Sequence, residues 1–213
     1  MSKNRNRSGQ DLKRAKPKRV PHDRILIVCE GAKTEPNYLD EIRKILRIGS
    51  VDLRILHSKK GQEPQQIVES ADEEFARTMA YEKVYVVFDR DEHLTYANAI
   101  SMVAARDGRN KNDEGKKVEF KAAVSVPSFE FWILLHFENV QAFLHRDTVL
   151  ARVKTHVNGY EKGNRDIYRK TAQYIPTATQ RAIALRALFR RLPGTDPYTD
   201  MDELVEVLKA LRT

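Results

Sequence analysis

Between Arg24 and Tyr38 the chain reads R-I-L-I-V-C-E-G-A-K-T-E-P-N-Y, and no other stretch narrows the choice of fold so far. Five apolar residues, Ile25 to Cys29, run without interruption and stop at Glu30-Gly31. The row lacks the alternation of a half-exposed strand and the length of a helix. It fits a strand buried on both faces, hence a parallel sheet with helices above and below. Gly31 permits a sharp turn, Thr34 suits the N-cap of a following helix, and Pro36 is tolerated in its first turn. Glu30 is thereby projected from the carboxyl end of a central strand, the edge where open α/β sheets bind ligands.

A second apolar row, Val84 to Phe88, ends directly in Asp89-Arg90-Asp91. Asp89 and Asp91 flank one residue, so both can turn toward one pocket as the chain leaves the strand. Carboxylates converging from two strand ends raise one another's pKa unless a cation sits among them. Magnesium takes oxygen ligands and often combines one or two carboxylates with substrate phosphate oxygens. The residues therefore point to a Mg²⁺ site, open to Mn²⁺, for phosphoryl-transfer chemistry.

These strings also carry a resemblance. A strand ending in Glu-Gly, followed about sixty residues later by one ending in Asp-x-Asp, resembles the Toprim domain of topoisomerases, primases and old-type nucleases. The strings C-E-G-A-K-T-E-P-N-Y, F-D-R-D and P-S-F-E-F-W-I-L-L-H-F-E resemble the RloB-like family, from about Arg24 through the D-P-Y-T-D-M-D-E-L-V near the end. The resemblance implies a bacterial protein encoded near restriction-modification and phage-defence genes. It implies a Toprim-like fold and a metal-dependent nuclease acting in anti-phage defence. It also implies a partner, often a P-loop ATPase encoded nearby, without which the chain is inactive. Glu30 would complete the metal ligands or serve as general acid/base.

The rest of the chain supports an α/β fold, a Rossmann-like and mostly parallel sheet flanked by helices, with a C-terminal helical extension. Residues 24–138 form the expected core, 139–213 the extension, and 1–23 a disordered basic tail. Helices are predicted over Thr34–Ile48, Gln62–Met79 and Leu94–Ala105, and strands over Val51–Leu56 and Glu119–Val126. Asp107 to Lys117 reads as a mobile loop. After Pro127, Ser128 caps a helix, Phe129–Phe137, that is apolar on nearly every side and so deeply buried. Glu130 in its first turn is either a structural partner or a further metal ligand. Trp132 and His136 read as core, and His93 as a surface residue. Further helices are expected over Arg146–Val157, Thr177–Arg191 and Met201–Leu211, with a lysine-bearing turn at Gly159–Asn164.

The chain of 213 residues carries a net charge of +8, and residues 1–20 hold +7 of it. Arg14, Lys16, Lys18 and Arg19 in that tail, with Lys33, Lys59 and Lys60 near strand ends, are the candidate nucleic-acid contacts, to DNA or RNA. The bland reading of the tail is a solubilising arm. No apolar run approaches the ~20 residues that span a bilayer, and one cysteine excludes an internal disulfide, so a cytoplasmic protein without a membrane partner is expected. Self-association is open. No G-x-x-x-x-G-K-[ST] loop is present, so the chain is not itself a P-loop ATPase. Receiver and haloacid-dehalogenase folds place their acids on different strands. The competing reading is a non-catalytic Toprim-like domain that binds nucleic acid or a nucleotide and serves a partner enzyme as sensor or adaptor.

Overall fold

The computed structural model describes residues 22–57, 62–90, 93–189 and 197–212. Its frame is a five-stranded sheet built from β1 (Ile25–Cys29), β2 (Leu53–His57), β3 (Lys83–Asp89), β4 (Glu119–Val126) and β5 (Tyr198–Thr199), in the order β2-β1-β3-β4-β5. The first four are parallel and β5 pairs antiparallel with β4. The unbroken apolar rows are explained by burial on both faces. Ile25, Ile27, Cys29, Tyr85 and Val87 enter one hydrophobic cluster, while Leu26, Val28, Val84, Val86 and Phe88 enter another.

Helix α1 (Thr34–Ile45) covers the first face, and α2 (Pro64–Thr78) with α3 (Tyr96–Arg106) the second. The chain leaves β1 toward β2, then crosses back to β3 and on to β4. The carboxyl ends of β1 and β3 thus flank the point where the winding reverses, the ligand crevice of doubly wound sheets. Lys33 takes the cap position of α1 and Thr34 is already helical, with no side-chain cap bond. On α1's predicted apolar face, Tyr38 and Ile42 are buried but Ile45 is exposed.

Helix α4 (Phe129–Leu135) is buried over its whole length. It lies between the sheet, α5 (Arg146–His156) and α7 (Ile175–Phe189). Trp132 has no exposed surface and donates its indole N–H to the Tyr38 hydroxyl at 2.9 Å. Ser128 occupies the cap position, but its hydroxyl donates to Glu130 rather than capping the backbone. The segment from residue 139 adds α5, α6 (Ile167–Thr171), a 3-10 turn (Ala172–Tyr174), α7, β5 and α8 (Met201–Ala210). It is therefore not only helical, since it supplies the edge strand β5. Its Val149, Val153, Ala182, Leu204 and Leu208 belong to the same cluster as β1 and α4.

The stretch 107–117, expected to be mobile, is a braced turn. Asn112 is 3% exposed. Its Oδ1 accepts the N–H groups of Glu114 and Lys116, and its Nδ2 donates to Glu82. A buried amide thereby meets its partners and ties the two ends of the turn together.

Candidate active site

Glu30 follows β1, and its backbone N–H still donates to Val87 O at 2.8 Å, which carries the β1–β3 pairing one residue further. Its side chain reaches across the crevice: Oε2 accepts the backbone N–H of Asp89 at 3.0 Å. Oε1 lies 3.0 Å from Nε2 of His93, whose Nδ1 is 3.0 Å from Glu63 Oε2. Thr95 also donates to that Glu63 oxygen. His93 is thus a strut joining the end of β1 to the starts of α2 and α3, not the surface residue its sequence context suggests.

Asp89 is the last residue of β3 and pairs with Ser125 of β4. The chain then turns at Pro127, after a cis peptide bond, and α4 brings Glu130 to the same edge. Glu130 is 2% exposed. One oxygen accepts from Ser128 Oγ at 2.8 Å and the other from the Tyr160 hydroxyl at 3.2 Å. Lys162 Nζ lies 3.6 Å from the second oxygen.

A fourth acid, Glu35, comes from the first turn of α1 and lies directly over Gly31. A methyl group on Gly31 would come within 1.9 Å of Glu35 Oε2, so any larger residue there would have to displace the carboxylate from this position. Burial pushes the Glu35 carboxyl up to about 7. Its own backbone opposes that rise, the charges of Glu130 and Glu30 add to it, and Lys162 relieves it. Burial also drives the Tyr160 phenol far above its ordinary range, with Glu130, Glu35 and Asp89 adding to the effect. Tyr160 therefore stays a hydroxyl donor.

Of the residues singled out from sequence, Glu30, Asp89, Glu130 and the exposed Lys33 come to this edge. Asp91, Lys59, Lys60, Arg14, Lys16, Lys18 and Arg19 lie outside the described residues. Glu35 and Tyr160 were not picked out as site residues, and Lys162 only as the lysine of the Gly159–Asn164 turn. Glu35 had a local signal, a second acid just after Glu-Gly. Tyr160 and Lys162 had none beyond the glycines that flank them.

The donor set is all carboxylate oxygen, which suits a hard divalent cation. Burial is the main cause of the raised Glu35 carboxyl, and the neighbouring charges of Glu130 and Glu30 add to it. Among the described residues, the acids whose ligand atoms lie within 4.8 Å of one another are a different group, Glu82, Asp113 and Glu114. That spacing can hold a metal ion. However, these acids sit at the amino edge of the sheet, and the Arg24 guanidinium already lies 2.7, 2.6 and 3.7 Å from the three carboxylates.

The fold and its acid-lined crevice define a Rossmann-like α/β protein with a carboxylate site at the switch point of its sheet. The family model for RloB-like proteins matches residues 25–208, and the chain belongs to that family. No curated protein and no solved structure matches it.

Proposed function

We propose that this chain is a Mg²⁺-dependent nuclease that cleaves phosphodiester bonds and, as its family resemblance suggests, acts in defence against phage. The observation that carries the reading is the meeting of Glu30 and Asp89 across the β1–β3 crevice, with Glu35 and Glu130 at the same edge. Asp89, with Asp91 two residues on, and Glu30 would hold the metal, and Glu130 with Glu35 would hold a second. A Mg²⁺ held by these carboxylates would supply charge neutralisation for the scissile phosphate and the leaving oxygen. The chain's own groups do the rest. Tyr160 and Ser128 fix Glu130 in one rotamer, and His93 orients Glu30. If Glu30 does not complete the ligand set, its carboxylate would serve instead as general acid/base at the reacting oxygen.

One observation favours the sensor or adaptor reading. Both oxygens of Glu30 already have partners in the Asp89 N–H and His93. Incubation of labelled tRNA, single-stranded DNA and duplex DNA with Mg²⁺ or Mn²⁺, with and without an ATPase encoded beside it, separates the two. Metal-dependent product that is lost in Asp89→Asn supports the nuclease. Tight binding without product in any combination supports the adaptor.

A further inference from the structure

We infer that Lys162, carried by the turn from Gly159 to Asn164, is the residue of this site that grips a phosphate of the nucleic-acid strand beside the bond to be cut. The inference rests on the nuclease reading and names a contact on which that reading is silent.

The turn is built to place this one side chain. Gly159 and Gly163 adopt φ of +69° and +89°, conformations open to glycine at little cost. Asn164 closes the turn by donating Nδ2 to Gly159 O at 3.2 Å and its backbone N–H to Glu161 O at 3.1 Å. Two anchors then fix it to the catalytic edge. On one side Tyr160, 1% exposed, donates to Glu130. On the other, Gly163 O accepts Asn37 Nδ2 at 2.6 Å, and the bare Gly163 lies so close to Lys33 that a Cβ there would stand 2.9 Å from Lys33 Cβ. Lys162 falls between the anchors, with Lys33 alongside.

Glu130 does not depend on the lysine. Its two oxygens already accept from Ser128 and Tyr160, and the Lys162 contact is a longer one at 3.6 Å. The lysine side chain is 48% exposed and that of Glu130 only 3%, so the ammonium rests at the mouth above a buried acid. An ammonium has three donors, and one long contact leaves capacity for a ligand. The ligand that suits a lysine over a carboxylate site is an anion shared with a divalent cation, and a phosphodiester has that chemistry. Lys33 extends the positive rim along the same path.

The test reads binding first, so that a missing ATPase does not obscure it. Labelled oligonucleotides of about 20 nucleotides, as single-stranded DNA, as RNA of the same sequence and as duplex, are titrated against the full chain in Ca²⁺ at several salt concentrations. Mg²⁺-dependent cleavage follows. Lys162→Ala and Lys162→Gln should weaken binding about tenfold and lower the salt slope by about 0.7–0.9, one phosphate contact. Lys162→Arg should restore most of both, and Lys209→Ala on α8 should match wild type. Binding of Mn²⁺ alone should be unchanged or tighter in Lys162→Ala, because a like charge has been removed. If wild type binds or cleaves nucleic acid while Lys162→Ala and Lys162→Gln keep its affinity, salt slope and kcat/KM, this inference fails and the nuclease reading stands. If wild type neither binds nor cleaves any of the three, both fail together.

Discussion

At the scale of single residues, burying an acid beside other acids has a measurable cost. Glu35 is 6% exposed, and its carboxyl lies at about 7 against an ordinary 4.5. Between those values the folded chain holds a proton that the unfolded chain has released. Stability of the metal-free protein should therefore fall as pH rises from about 4.5 to about 7, by on the order of 3 kcal/mol from this group. Glu35→Gln should flatten that window and raise stability above it, read from urea midpoints across pH. A wild-type profile with no decline there, or a variant with the same decline, would show that Glu35 is not held in the buried, protonated state that raises its carboxyl. Tyr160 makes a second test. Its hydroxyl is one of two hydrogen-bond donors to a buried Glu130, and Tyr160→Phe removes it at nearly constant volume. The expected loss is about 1–3 kcal/mol, because the acceptor left behind remains buried. A loss under about 0.5 kcal/mol would mean that Glu130 finds another donor.

At the scale of elements, the strands were legible because burial on both faces leaves an unmistakable row. Ile25–Cys29 and Val84–Phe88 needed no context, and the acids that end them followed directly. The Phe129–Phe137 helix was legible for the same reason, being apolar all round, though its last turn is shorter than expected. What stayed hidden depends on contacts between distant segments. Tyr160 meets Glu130 across 30 residues, and Asn37 meets Gly163 across 126. No local pattern announces either. Asp107–Lys117 is the loop its composition indicates, but its bracing was hidden, because it comes from one buried Asn112 and from Arg24, 89 residues from Asp113. Thr34 was misplaced by one position because cap chemistry gave way to the tight turn over Gly31. The two-residue β5 is too short to carry a periodic signal, and pairing with β4 defines it.

At the scale of the whole molecule, the segment after residue 138 completes the fold as well as the site. Trp132, Ile133, Leu134 and Leu135 have no exposed surface, and the helices that cover them include α5 and α7. A chain ending at Glu138 would expose that surface and should fail to give a cooperative thermal transition. A stable, monomeric truncated core would contradict this packing. If the basic residues before Val20 tether phosphate backbone, they would bear on reach rather than chemistry. Residues 1–20 carry +7 of the +8 net charge. Their deletion should flatten the salt dependence of nucleic-acid binding by about 0.9 per lost phosphate contact on duplex DNA, and leave turnover at saturating substrate intact. An unchanged slope would reduce the tail to a solubilising arm. The central claim is that the acids at the carboxyl edge of β1 and β3, and not the Arg24-bound acids at the opposite edge, form the metal centre. Calorimetric titration with Mn²⁺ of wild type, Asp89→Asn and Glu82→Gln tests it most directly. The account requires saturable binding in wild type and Glu82→Gln, and loss of at least one Mn²⁺ equivalent in an Asp89→Asn variant that remains folded. Binding that survives in Asp89→Asn but disappears in Glu82→Gln would move the metal to the other edge and contradict the account.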